Sequence, residues 1–274
     1  MKKPILTAAA LTMVICLLPV WHTVNLVKDR QNTVSPSDQI SQNIAAGKDM
    51  LSDYGAVSVE MAQDSVDAAR IAYEDTVAAE NLKQTIESEI AFIQKGELTY
   101  REVFREVYIC GDSLMCGLDV VGLINGRHLI AQVSAGLTHL EENLDRVIRA
   151  KPRVLILHYG INAVANNEAA VERFVTRYGK DIDKIREGSP NTRIIVSLLF
   201  PVDETVATDG RFKGVARFNE ALVAMCEEKG IEYLDTTPVL KEHAEYYTAD
   251  GIHQHKNFYS KYWFPYIMRE MEIY

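Results

Sequence analysis

Cysteine is scarce and unpatterned in this 274-residue chain. Cys16, Cys110, Cys116 and Cys226 form neither a CxxC pair nor a Cys/His ligand spacing, which leaves no basis for a disulfide framework or a zinc ribbon. They are expected to pack as small hydrophobes. Basic charge is also short. Twenty-nine Lys and Arg stand against 38 Asp and Glu, a formal net charge of −9, and no basic stripe exists to neutralise a phosphate backbone. A nucleic-acid partner is therefore set aside. Also missing are Gly-x-Ser-x-Gly, a P-loop, Gly-x-Gly-x-x-Gly and His-Glu-x-x-His, so the α/β-hydrolase elbow, phosphate-loop, dinucleotide and zinc-protease readings have no anchoring residues. What remains is an ordinary globular composition, 47% hydrophobic and 24% charged, on a chain long enough to bury a full core.

Long apolar runs are limited to one. From Pro4 to Trp21 no residue is charged, and as a helix this run would extend about 27 Å, nearly the thickness of a bilayer's hydrocarbon core. Residues 1–26 are read as a single transmembrane anchor. Lys2 and Lys3 ahead of it favour a cytoplasmic N-terminus with the rest of the chain outside. A cleaved signal peptide, giving a secreted protein, is the competing reading. Its apolar region is usually shorter and ends in small residues, whereas Trp21-His22 follows here. Residues 27–95 are rich in Ala, Glu, Gln, Asp and Ser. Within them Val66, Tyr73, Val77, Leu82, Ile86, Ile90 and Ile93 recur at three-, four- and seven-residue steps, so a linker and a helical stalk with a narrow apolar stripe are expected. A spacer, or a helix packing on the main domain, is preferred to a partner-binding coiled coil.

Beyond Gly96 the pattern changes, and residues 96–274 are read as a separate domain, large enough to hold a catalytic centre. Short runs rich in Val, Ile and Leu at 106–110, 128–133, 153–159, 193–200 and 231–235 read as buried strands. Between them lie amphipathic helices, one carrying Leu140, Leu144, Val147 and Ile148, another Val171, Phe174, Tyr178, Ile182 and Ile185. This alternation predicts an α/β fold with a central parallel sheet of about five strands covered on both faces, whose ligand site lies at the carboxyl ends of the strands.

Four short motifs fall at those ends: Gly111-Asp112-Ser113, Ser134-Ala135-Gly136, Gly160-Ile161-Asn162, and Asp250-Gly251-Ile252-His253. A serine hydroxyl needs a base within hydrogen-bond reach, and the base needs a carboxylate to orient it. Asp250 and His253, three residues apart on a tight turn, suit these roles for Ser113. The Ser113 amide, set near an expected helix start, the Gly136 amide and the Asn162 side-chain NH₂ are candidate donors to an oxyanion. His255 competes with His253 as the base, but the Asp-x-x-His spacing favours His253. Asp250, His253 and His255 also permit a metal site, without any further cluster to support one. His158 and Tyr159 either line the pocket or pack a strand end. Tyr246 and Tyr247 either meet substrate or close the core, and Trp263 and Tyr266 are read as packing residues.

Taken in this order, the four motifs resemble the SGNH hydrolase superfamily, also called GDSL esterases, over roughly residues 100–274. The resemblance implies a flavodoxin-like three-layer α/β/α fold and hydrolysis of esters by a Ser-His-Asp triad, without metal or other cofactor. Carried over by position, Ser113 is the nucleophile, His253 the general base and acid, Asp250 its partner, and Ser113, Gly136 and Asn162 form the oxyanion hole. Two departures stand out. Ala163 replaces the Asp that often follows the Asn, which puts the support of that loop in question, and Cys116 stands where many relatives carry a polar residue. The expected function is a membrane-tethered extracytoplasmic esterase that removes acyl groups, acetyl foremost, from cell-wall or other carbohydrate substrates. The alternatives are a lipid-directed esterase (a lysophospholipase or thioesterase), an O-acyltransferase, and a non-catalytic scaffold of the same fold.

Overall fold

The computed structural model describes residues 36–52, 59–208 and 210–274. The anchor expected over residues 1–26 lies outside them, and among the described residues no helix is long and apolar enough to cross a membrane. The chain divides into two units, Met1–Leu82 and Lys83–Tyr274. The first contains helix α1 (Pro36–Ser52) and the greater part of helix α2 (Val59–Lys95). Frequent Ala and local pairs such as Arg70 with Asp67 and Glu74 favour this helix. Its apolar stripe is sparse here, and Ile71 and Val77 are exposed.

The second unit begins with the last turns of α2. Ile86 and Ile90, which the sequence pattern assigned to the stalk, are buried there, and Glu87 pairs with Arg269. The sheet that follows consists of β1 (Val107–Gly111), β2 (Leu129–Ala131), β3 (Val154–His158), β4 (Arg193–Ser197) and β5 (Glu232–Leu234). All four pairings are parallel, in the order β2-β1-β3-β4-β5. Every residue of the central strand β3 is buried, which is why it reads as an unbroken apolar run.

Helices α3 (Leu137–Ala150), α4 (Glu168–Gly188) and α5 (Val215–Lys229) connect β2 to β3, β3 to β4 and β4 to β5. These three crossovers all step the same way across the sheet, so the right-handed rule places the helices on one face. There α3 packs beside α4 and α4 beside α5. Of the residues expected to form their apolar faces, only Ile148 is incompletely buried. The opposite face is aromatic. Tyr100 and Phe104 meet Phe264 at ring-centroid distances of 5.0 and 4.6 Å, and Phe200 meets Trp263 at 5.8 Å.

These last residues belong to a C-terminal helical segment in which a π turn, Tyr259–Trp263, precedes α6 (Phe264–Glu270). Pro265 explains the wider turn: it has no N–H to give and its ring clashes with a carbonyl four residues back. The Phe264 amide accordingly bonds to Tyr259 O, five residues earlier.

One expected element is absent. No regular helix follows Ser113. Residues 113–122 form successive turns instead, closed by bonds such as Cys116 N–H to Ser113 O and Val121 N–H to Gly117 O. Gly117 and Gly122 have φ of 85° and 80°, left-handed angles that interrupt a helix twice within six residues. The Ser113 amide therefore has no helix dipole behind it.

Candidate active site

Each of the four loops is held by a different local device. At the end of β1, a Cβ on Gly111 would lie 2.5 Å from Met115 Cγ and 2.9 Å from His158 O, so only glycine lets the chain turn against β3. Asp112 is fully buried at this turn. Its amide donates to His158 O at 3.2 Å, and its Oδ1 accepts from Leu114 N–H at 3.1 Å, an Asx turn with Ser113 at its apex. Burial pushes the Asp112 carboxyl up to about 6, against the opposing pull of the Leu114 amide, His253 and the Gly160 and Ile161 amides.

After β2, a turn closes from Ala135 N–H to Gln132 O at 3.1 Å, with Ser134 at φ 60°. Gly136 then caps α3 with an extended backbone, and nothing lies within 4 Å of where a Cβ would be. Its amide thus stands at the start of a 14-residue helix, where the helix dipole favours an anionic oxygen.

The loop after β3 depends on Gly160, whose φ is 141°. Its carbonyl accepts the Ala163 and Val164 amides at 2.8 and 3.1 Å, so backbone bonds support the loop at the position where the resemblance leads one to expect an Asp and Ala163 stands. Asn162 Nδ2 donates to Ala135 O at 2.9 Å, which ties it to the peptide immediately before Gly136. At Gly160 an added methyl would lie 2.7 Å from Leu199 and 3.1 Å from Phe174, both buried. Gly160→Ala is expected to destabilise the fold by roughly 1–3 kcal/mol, measured as a Tm lower by about 5 °C.

The C-terminal loop completes the arrangement. Tyr247 and Gln254 pair as an antiparallel bridge, and the Thr248 amide donates to His253 O at 2.8 Å. Within this closed turn Asp250 Oδ1 accepts from the Ile252 and His253 amides, both at 2.9 Å, and from Thr248 Oγ1 at 2.8 Å. Asp250 Oδ2 lies 2.7 Å from His253 Nδ1, and His253 Nε2 lies 2.9 Å from Ser113 Oγ. Partial burial works against ionisation of Asp250. The hydrogen bonds from His253, Ile252 and Thr248 outweigh it and hold this carboxyl well below the usual carboxylate range. Nδ1 is then the protonated nitrogen and Nε2 the free acceptor facing the serine.

The structure thus brings Ser113, His253 and Asp250 into one hydrogen-bonded line. It also ties Asn162 to the residue before Gly136. His255 stands apart: its amide donates to Tyr246 O, and the exposed residue opens the next helical turn. Among the described residues no group of three His, Cys, Asp or Glu is arranged to hold a metal ion. His158 is buried, with Nδ1 3.0 Å from Ser197 Oγ, and burial pushes it down to about 3, so it packs as a neutral residue. Tyr159 is buried as well, its hydroxyl 2.9 Å from His139 Nδ1. Tyr247 donates to Pro201 O, while Tyr246 lies against the Phe258 and Tyr262 rings. Trp263 is buried and donates to Thr236 Oγ1, and Tyr266 donates to Asp235 O. Sequence reasoning missed Thr248. Its only linear signal is a hydroxyl two residues before the carboxylate.

The model of the GDSL-like Lipase/Acylhydrolase family matches residues 110–259, more than half of the chain and all four loops. A search of curated protein sequences gave no match. Among solved structures, a GDSL-like lipase from Parabacteroides merdae is similar at 15% identity and a TM-score of 0.51, over 61% of this chain and 95% of its own. A lipase/acylhydrolase from Enterococcus faecalis is similar at 14% identity and a TM-score of 0.49, over 61% of this chain and 94% of its own. A carbohydrate esterase family 3 protein from Talaromyces cellulolyticus has 13% identity and a TM-score of 0.46, over 61% of this chain and 95% of its own.

Proposed function

The chain belongs to the GDSL-like lipase/acylhydrolase family and is a hydrolase of ester bonds, and from that premise we propose that it is a serine esterase using Ser113, His253 and Asp250. The observation that carries this reading is the unbroken line from Asp250 Oδ2 to His253 Nδ1, and from His253 Nε2 to Ser113 Oγ, at 2.7 and 2.9 Å. Ser113 Oγ attacks the ester carbonyl carbon while its proton passes to His253 Nε2. The alcohol departs with that proton and leaves an acyl-serine. Water then attacks the acyl carbon, gives a proton to Nε2 and releases the acid as the serine is re-formed. The Ser113 and Gly136 amides and Asn162 Nδ2 are assigned to the oxyanion, each such donor being worth about 10²–10³ in rate.

The substrate we assign is a short acyl ester, acetyl foremost, on a carbohydrate. The Asp250 and His253 side chains are 48% and 39% exposed, and such an open edge suits a bulky hydrophilic alcohol better than a buried acyl chain. The uncharged run from Pro4 to Trp21 supports tethering of the enzyme at the outer face of a membrane.

A panel of p-nitrophenyl esters, with an acetylated polysaccharide beside it, tests both parts. Acetyl esters are expected to be cleaved at least tenfold better, in kcat/KM, than esters of eight or more carbons. The reverse order would support a lipid-directed enzyme. Failure of a fluorophosphonate to label the protein, while labelling a control esterase, would support the scaffold reading instead.

A further inference from the structure

Asp250 must keep one oxygen on His253, yet a carboxylate turns easily about its Cβ–Cγ bond. What holds its plane is the other oxygen. Two of the donors to Oδ1, the Ile252 and His253 amides, are backbone groups fixed by the course of the turn. The third is different. Thr248 opens the turn, next to the Tyr247–Gln254 pair and with its carbonyl accepting the Gly251 amide at 2.9 Å, and it is its side chain, not its backbone, that reaches Asp250: Oγ1 lies 2.8 Å from Oδ1. The Thr248 amide is separately bonded to His253 O at 2.8 Å, so the backbone locates this residue without help from its side chain. His253 O also lies 3.2 Å from Thr248 Oγ1, but a hydroxyl has a single proton to donate, and the nearer, charged oxygen takes it.

We propose that Thr248 is a positioning residue whose hydroxyl fixes the Asp250 carboxylate plane, and through it the His253 ring, for proton transfer from Ser113. This rests on the assignment of Ser113, His253 and Asp250 as the catalytic line. Thr248 touches neither substrate nor serine in this scheme, so its hydroxyl acts on the chemical step and not on ester binding.

The test compares full-length wild type with Thr248→Val, Thr248→Ser and Ser113→Ala, using p-nitrophenyl acetate. Reactive sites are counted by stoichiometric fluorophosphonate labelling. Thr248→Val is expected to lower kcat per labelled site about tenfold, the weight of one hydrogen bond to a charged group, and to slow labelling in parallel. KM is expected to stay within twofold. Thr248→Ser, which restores the hydroxyl, should bring kcat back to within about threefold of wild type. If Thr248→Val does not fold, Thr248→Ala carries the same expectation. A purely structural role would lower the number of labelled sites or the Tm while leaving kcat per site intact, and that result overturns the proposal. Full activity in Ser113→Ala would instead overturn the catalytic line itself, and this inference with it.

Discussion

Ser113→Ala and His253→Ala are each expected to reduce kcat for p-nitrophenyl acetate by about 10⁴–10⁶-fold, with the double variant no worse than either single one. In the proposed mechanism the two groups perform one event: without the imidazole the serine keeps its proton, and without the serine the imidazole has nothing to deprotonate. Losses in such a unit do not add. Ser113 and His253 are both only half-buried, so neither truncation opens a cavity in the core, and the thermal midpoint should stay within about 2 °C of wild type. His255→Ala is the matched control. That imidazole lies only two residues further along, but it begins the next helical turn and has no part in the line to Ser113. It should retain more than half of the activity. Equal losses at His253 and His255 would mean that the base has been misassigned, and a large fall in Tm with Ser113→Ala would reduce its lost activity to misfolding.

Much of this arrangement was legible in the residues because burial leaves a linear trace. The five strands lie within or beside the apolar runs that mark them, and β3 is the clearest since both of its sides are covered. The loop motifs were legible for a related reason: each combines a backbone demand, as at Gly160, with a side chain of definite chemistry, as at Asn162. What could not be read depends on contacts between distant segments. The residues after Ser113 have helix-compatible composition, and only the left-handed angles of Gly117 and Gly122 decide against a helix. His158 resembles a pocket residue until Ser197, 39 positions later, is seen to bond to it inside the core. Ile86 and Ile90 continue a stripe that begins on exposed helix, and nothing in its periodicity marks where burial sets in. Thr248 acquires its meaning only when the two limbs of the C-terminal loop pair.

Asp250→Asn should lower kcat by about 10⁴ at neutral pH, although it changes a single atom of a half-exposed side chain. The reason lies in the donors around that side chain. Oδ1 faces two backbone N–H groups and the Thr248 hydroxyl, so an amide placed here must turn its carbonyl oxygen toward them, because its NH₂ would meet donors. The NH₂ is thereby directed at His253 Nδ1, 2.7 Å from the position of Oδ2 in the wild type. Nδ1 then has to accept, and the single ring proton of a neutral imidazole moves to Nε2, which faces Ser113 Oγ. A protonated Nε2 cannot take the serine's proton, so the variant keeps its geometry and holds the wrong tautomer. Asp250→Ala, which leaves Nδ1 to solvent and imposes no tautomer, is expected to retain more activity than Asp250→Asn. Steady-state kcat for the two variants, each normalised to folded protein by circular dichroism, decides the matter. Equal activity in both would mean that the carboxylate acts by charge alone, whereas an Asn variant within tenfold of wild type would remove Asp250 from the mechanism.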